Sequence, residues 1–68
     1  MGKIDRRKYP ELNYLLWDIH NKLIEPKVAF EMYEKRWKYV NTHRLTRPEQ
    51  RLVQRLTNVY GKGIFMAA

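Results

Sequence analysis

The amino-acid sequence predicts an all-α fold: one small three-helix domain over residues 1–68, with a C-terminal tail that packs back. Three segments carry apolar residues at helical spacing, at about residues 10–22, 26–40 and 47–60. Each has a proline in or beside its first turn, where a missing N–H needs no partner. Aromatic residues make up 13% of the chain, more than a disordered protein would carry.

The N-terminal residues 1–9 show no periodic face, and we expect them to form a basic arm. Arg6, Arg7 and Lys8 follow one another within it. Such an arm can reach along a phosphate backbone or into a minor groove. The alternative is a frayed, solvated terminus. Ile4 and Tyr9 are the candidate anchors on the body of the domain.

The first helix should begin at Pro10, next to a glutamate that favours the positive end of the helix dipole. Its core stripe consists of apolar residues three or four positions apart: Leu12, Leu15, Leu16, Ile19 and Leu23. Tyr14 and Trp17 lie roughly opposite that stripe, on the side of Asn21. Two large aromatic residues there indicate either cover by the arm or tail, or a protein interface.

The second helix has an apolar arc of roughly 200°, twice the usual width, so we expect it to be the central helix. The arc consists of Val28, Ala29, Phe30, Met32, Tyr33, Trp37, Tyr39 and Val40. Arg36 falls inside the arc, and a buried guanidinium group must be paired or reach water. Asp18 and Glu49 are its candidate partners.

The third helix shows the strongest local signals. Thr46 and Glu49 have the spacing of a capping box, and Gly61 offers a left-handed residue that ends a helix. The core face consists of Leu52, Val53, Leu56, Val59 and Tyr60. The opposite face has no acidic residue apart from Glu49 and consists of Arg47, Gln50, Arg51, Gln54, Arg55 and Asn58.

This cationic face is the strongest functional signal. The chain has 14 Lys+Arg against 7 Asp+Glu, and a net charge of +7 favours an anionic partner. Arginine pairs with phosphate or guanine, and glutamine or asparagine pairs with adenine. We therefore predict a small, non-enzymatic, regulatory nucleic-acid-binding protein, and we expect its nucleic-acid partner to be DNA rather than RNA. The predicted contacts are Arg44, Arg47, Gln50, Arg51, Gln54, Arg55, Asn58 and Lys62, with Arg6, Arg7 and Lys8 of the arm.

The alternative is a protein-interaction module, an adaptor or small inhibitor that docks on an acidic partner surface through the same arginines. Its interface residues would be Tyr14, Trp17, Asn21 and, in the apolar tail 62–68, Phe65. The same apolar surplus would allow two copies to pair as a homodimer. A third interpretation is a merely solvated helix face, because arginine and glutamine are good helix formers.

The residue types argue against an enzyme, a metal site or a small-molecule substrate. The chain has no cysteine and no serine, and His20 and His43 lack metal-ligand spacing. A domain of this size has little room for a sequestered pocket, so we expect no cofactor. No apolar run is long enough for a membrane span and no apolar signal region is present, so we expect a soluble cytoplasmic protein.

Overall fold

A computed structural model describes residues 2–67; Met1 and Ala68, the ends of the predicted arm and tail, lie outside the described residues. The three α-helices are α1 (Pro10–Leu15), α2 (Pro26–Arg36) and α3 (Arg47–Tyr60). Two short antiparallel strands pair with each other, β1 (Ile4–Asp5) and β2 (Leu23–Ile24). Single 3-10 turns occur at Arg6–Lys8, Trp37–Tyr39 and Thr42–Arg44. The predicted all-α three-helix fold is confirmed.

The hydrophobic core contains side chains from all three helices and both strands. Helix α2 packs against both α1 and α3, which confirms its predicted central position. The buried apolar residues are Ile4, Leu12, Leu15, Leu16, Ile24, Ala29, Phe30, Tyr33, Leu52 and Leu56. Tyr39, which the sequence placed in the apolar arc of α2, is instead 48% exposed, because the helix tightens to a 3-10 turn before it.

Helix α3 has the predicted bounds, and residues at its own ends stabilise it. The Thr46 hydroxyl accepts a hydrogen bond from the Glu49 N–H at 3.3 Å. Gly61 follows the helix but is not left-handed, which corrects the prediction; that conformation falls on Lys62 and Gly63. Gly61 is needed for space, since a Cβ there would lie 2.3 Å from the Ile64 carbonyl oxygen.

Helix α1 ends at Leu15, well before the predicted residue 22. The chain turns after Leu16 and crosses to β2, so Ile19 is only half-buried and Leu23 is 53% exposed. The predicted core stripe therefore stops at Leu16. Two arginine side chains from outside the helix bind the carbonyl groups at its C-terminal end.

The Arg6 guanidinium group is the first of these. It donates to the carbonyl oxygens of Asn13 (3.1 Å) and Leu16 (2.8 Å), and to that of Ile19 in the following loop. A cation at this position satisfies the carbonyl groups that a helix C-terminus leaves without partners. The predicted arm is thus part of the fold. Ile4 and Tyr9 anchor it as expected, the first buried and the second packed on the core.

The Arg36 guanidinium group also binds the C-terminal end of α1. It donates to the Leu15 carbonyl oxygen at 2.8 Å and forms two bonds with the Asp18 carboxylate, at 2.8 and 2.9 Å. Asp18 is one of the two partners that the sequence predicted, and Glu49 is not used. The hydrogen bonds from Arg36 lower the pKa of Asp18 to about 2.

The Glu49 carboxylate is the polar centre of the fold. It has no solvent exposure, and it accepts hydrogen bonds from the backbone N–H groups of Glu11 (3.1 Å) and Leu12 (2.8 Å). The Tyr33 hydroxyl donates to it at 2.6 Å, and burial together with this bond raises the pKa of Tyr33. A residue of α3 therefore caps the N-terminus of α1. The predicted capping box is only half formed, because this carboxylate serves another helix.

The C-terminal tail packs back on the domain through Phe65. Its ring centroid lies 4.9 Å from that of Trp37 and 6.2 Å from that of Phe30. The Met66 N–H donates to the Glu34 carboxylate at 2.8 Å. Phe65 is therefore part of the intramolecular packing, which corrects its predicted role as an interface residue.

Candidate nucleic-acid interface

The outer face of α3 carries only polar and cationic side chains. All members predicted from the sequence are exposed: Arg47, Gln50, Arg51, Gln54, Arg55 and Asn58. The three arginines are four residues apart, so successive members of this arginine column rise by about 6 Å along the helix. Leu52 and Leu56 on the opposite side are buried in the core. The helix thus presents the predicted face to solvent.

The positive charge of this face is not compensated within residues 2–67. The ion pairs in that part of the chain join Lys3 to Glu25, Arg7 to Asp5 and Arg36 to Asp18. None involves α3. The acidic residue of α3, Glu49, points inward and is fully buried. A polyanion approaching α3 therefore meets arginines that form no ion pair within residues 2–67.

An open cleft of about 490 Å³ lies between α3 and the N-terminal segment. Arg51 and Arg55 line one wall, and Lys3 and Lys8 come from the other side. Asp5 also borders the cleft, but its carboxylate is bonded to the Arg7 side chain at 3.0 and 3.1 Å. Lys8 thus lies across the cleft from Arg51 and Arg55, and its predicted contact with nucleic acid stays a prediction. Lys3, which precedes β1, was not predicted from the sequence; its ammonium group also pairs with the Glu25 carboxylate at 3.6 Å.

The amide side chains lie on the other flank of the arginine column. Gln50 and Gln54 border a shallow depression of about 370 Å³ together with Arg47 and Arg51. Gln54 and Asn58 also border a groove that extends toward Trp37 and Gly63. The Gln50 amide nitrogen donates to the Leu45 carbonyl oxygen at 3.1 Å, so its orientation is already set. Lys62 is exposed beyond the end of the helix.

Two of the predicted arm contacts have other partners. Arg6 uses its guanidinium donors on the end of α1, and its Nε donates to the Asn13 side chain at 2.7 Å. We therefore correct the prediction that Arg6 contacts nucleic acid. Arg7 is exposed but bonded to Asp5 through two of its nitrogens. Of the three basic arm residues, Lys8 is the one that lies at the cleft.

Three exposed rings form a second surface, the aromatic cluster of Tyr14, Trp17 and Tyr39, which are 61%, 54% and 48% exposed. The Trp17 ring centroid lies 6.5 Å from that of Tyr14 and 5.5 Å from that of Tyr39. Neither the N-terminal segment nor the described part of the tail covers these rings. Arg44 lies here, in a shallow depression beside Tyr14 and Tyr39. Asn21 is exposed, and its carbonyl oxygen accepts from Arg6 at 3.3 Å.

Comparison of the chain with protein-family models, curated proteins and solved structures gave no match. Among the helices of residues 2–67, none has the length and apolar character needed to cross a bilayer. The same residues contain no group of three His, Cys, Asp or Glu side chains that could hold a metal ion.

Proposed function

We propose that this protein is a small, non-enzymatic, regulatory nucleic-acid-binding protein that contacts duplex DNA with the outer face of α3. The observation that supports this most is the exposed arginine column, whose members have no carboxylate partner within residues 2–67. An α-helix fits the major groove of B-DNA, and recognition helices present side chains of this kind there.

The two flanks of the column suggest a division of roles. Arg51 and Arg55 border the cleft together with Lys8, and these cations would follow one phosphate backbone. Gln54 and Asn58 lie on the other flank, where amide groups can pair with adenine edges. In this arrangement the cations provide most of the affinity and the amides provide the sequence preference.

A salt titration with fluorescently labelled duplex DNA tests the proposal. We expect binding at low salt, with log K falling linearly against log salt concentration at a slope of about −3 to −5, as for a few phosphate contacts. Arg51→Ala and Arg55→Ala should each weaken binding and reduce the magnitude of the slope by about 1.

Lys27→Ala is the matched control, since it removes one charge from an exposed position of α2 outside this face. It should change the slope much less than Arg51→Ala does. The proposal fails if the wild-type protein does not bind duplex DNA at low salt. It also fails if the two arginine variants bind with unchanged affinity and unchanged slope.

A second candidate is a protein-interaction module that docks on an acidic partner. The exposed Tyr14 and Trp17 side chains favour it, because tyrosine and tryptophan are enriched in binding hot spots. Absence of DNA binding, together with a purified acidic partner captured by wild type and lost with Trp17→Ala, would support it. Undiminished capture by Trp17→Ala would exclude Trp17 as an anchor.

A further inference from the structure

The rings of the aromatic cluster are arranged so that they do not stack on one another. The planes of Tyr14 and Trp17 meet at 63°, and those of Trp17 and Tyr39 meet at 90°. Edge-to-face packing of this kind leaves ring surface accessible, and about half or more of each side chain is exposed. Aromatic surface at such exposure is suited to a flat, aromatic ligand.

The Trp17 ring is held in place by a fixed cation. The Arg36 guanidinium carbon lies 4.2 Å from the Trp17 ring centroid, and Asp18 and the Leu15 carbonyl oxygen fix Arg36 itself. A ring that is already ordered loses less conformational entropy when a ligand stacks on it. The guanidinium group covers one face of the indole ring, so a base that stacks on Trp17 would use the opposite face.

The surroundings of the cluster are cationic. Arg44 borders the depression beside Tyr14 and Tyr39, and the Lys38 ammonium group lies 5.3 Å from the Tyr39 ring centroid. Glu11 also borders this depression, but it is only 9% exposed, and its carboxylate accepts the Asn41 N–H at 2.8 Å, so the exposed charges here are those of Arg44 and Lys38. Exposed rings among cations match a ligand that carries both a π face and a phosphate, which describes an unpaired nucleotide.

The chain connects the cluster directly to the arginine column. Arg44 ends the 3-10 turn that precedes α3, and Arg47 is the first residue of α3. Only two residues, Leu45 and Thr46, thus lie between the cation at the rings and the first arginine of the column. Arg44 is thus the cation that could bind a strand leaving the N-terminal end of α3 toward the rings.

We infer that the aromatic cluster is a stacking surface for unpaired bases. The preferred ligand is then DNA in which a single-stranded segment adjoins a duplex. This inference rests on the proposed function and names the kind of DNA that the protein selects. Stacking on an aromatic side chain also makes the contact tolerant of base sequence, because every base has a π face.

The test compares two labelled DNA probes, a blunt hairpin duplex and the same hairpin with a short oligothymidine tail. The tail should tighten binding about tenfold, the effect of one well-stacked base. Trp17→Leu, which keeps apolar bulk but removes the indole ring, should abolish this gain and leave affinity for the blunt hairpin unchanged. Trp17→Phe should retain part of it.

The control is Ile64→Ala, an exposed apolar position outside the cluster, which should keep the full gain. Thermal unfolding of each variant shows whether it folds. If Trp17→Leu does not fold, Tyr14→Leu provides a second measurement. Equal affinity for the two probes, or an undiminished gain in both leucine variants, overturns the inference alone. Failure to bind the blunt hairpin at low salt overturns the proposed function. Tail binding that depends on Trp17 without hairpin binding would support the stacking surface but not the duplex contact.

Discussion

Helices α1 and α3 are stabilised at their ends in opposite ways. The N-terminus of α3 is capped by Thr46, its own neighbour in sequence. The N-terminus of α1 is capped by Glu49, which lies 38 and 37 residues away from the two amide groups that it binds. The C-terminus of α1 depends on Arg6 and Arg36, which belong to other elements. One helix is specified by local sequence and the other by the assembled fold.

Length accounts for much of this difference. Helix α3 has 14 residues and α1 has 6. A helix of 6 residues has no stability of its own in water, because nucleation costs more than its few hydrogen bonds return. Helix α1 therefore needs both buried leucines and charged caps from elsewhere. Removing a side chain that caps α1 from another element should therefore destabilise the domain more than removing the local cap of α3.

The largest effect is expected for Glu49→Ala, which removes the distant cap from the N-terminus of α1. The substitution leaves the buried Tyr33 hydroxyl and the Glu11 and Leu12 amide groups without their acceptor. We expect the free energy of unfolding to fall by about 3–5 kcal/mol, measured by urea unfolding.

Thr46→Ala is the control at the same end of α3, and it should cost only about 1 kcal/mol, because it removes a single local cap. Equal losses in the two variants would contradict the assignment of the Glu49 carboxylate to α1.

A smaller effect is expected for Arg6→Met, which removes the cation from the C-terminal end of α1. The carbonyl groups of Asn13 and Leu16 lose a charged donor, so we expect a loss of about 2 kcal/mol. Amide hydrogen exchange should increase first around the Ile19 N–H.

The adjacent variant Arg7→Met is the comparison, because Arg7 forms only an exposed pair with Asp5, and it should destabilise the fold much less than Arg6→Met does. If Arg7→Met were as damaging as Arg6→Met, the two side chains would not differ as described.

The smallest effect concerns Asp18 and pH. Its pKa is lowered from 3.8 to about 2 by the hydrogen bonds from Arg36, so the pair stabilises the fold above about pH 4. That contribution should be lost as the pH falls toward 2. The unfolding temperature of Asp18→Asn should therefore lie below that of the wild type at neutral pH, and the two temperatures should converge near pH 2. A difference that stays constant across this range would rule out the ion pair as its cause.

Elements that local sequence specifies were predicted correctly, whereas elements that depend on distant residues were not. The bounds of α3 were predicted correctly, because the Thr46 cap, the proline after Arg47 and Gly61 all act locally. The predicted end of α1 was wrong. Apolar spacing continues to Leu23, whereas the helix ends near the carbonyl groups that Arg6 and Arg36 bind. The two-residue strands were missed because such short segments show no periodicity.

The candidate site was predictable where it depends on one helix. The spacing of Arg47, Arg51 and Arg55 indicated one exposed face, and the structure places them there. Lys3 was missed and Arg6 was assigned wrongly, because strand pairing and loop contacts decide where the N-terminal cations lie. Their binding to nucleic acid stays a prediction.

The buried Glu49 carboxylate also links the formation of the first helix to that of the last. The segment that becomes α1 is made early during synthesis, yet the acceptor for its first amide groups lies in the last helix. Helix α1 also packs on α2 and is bound by Arg36, so it depends on both later helices and this domain should fold in a single cooperative step.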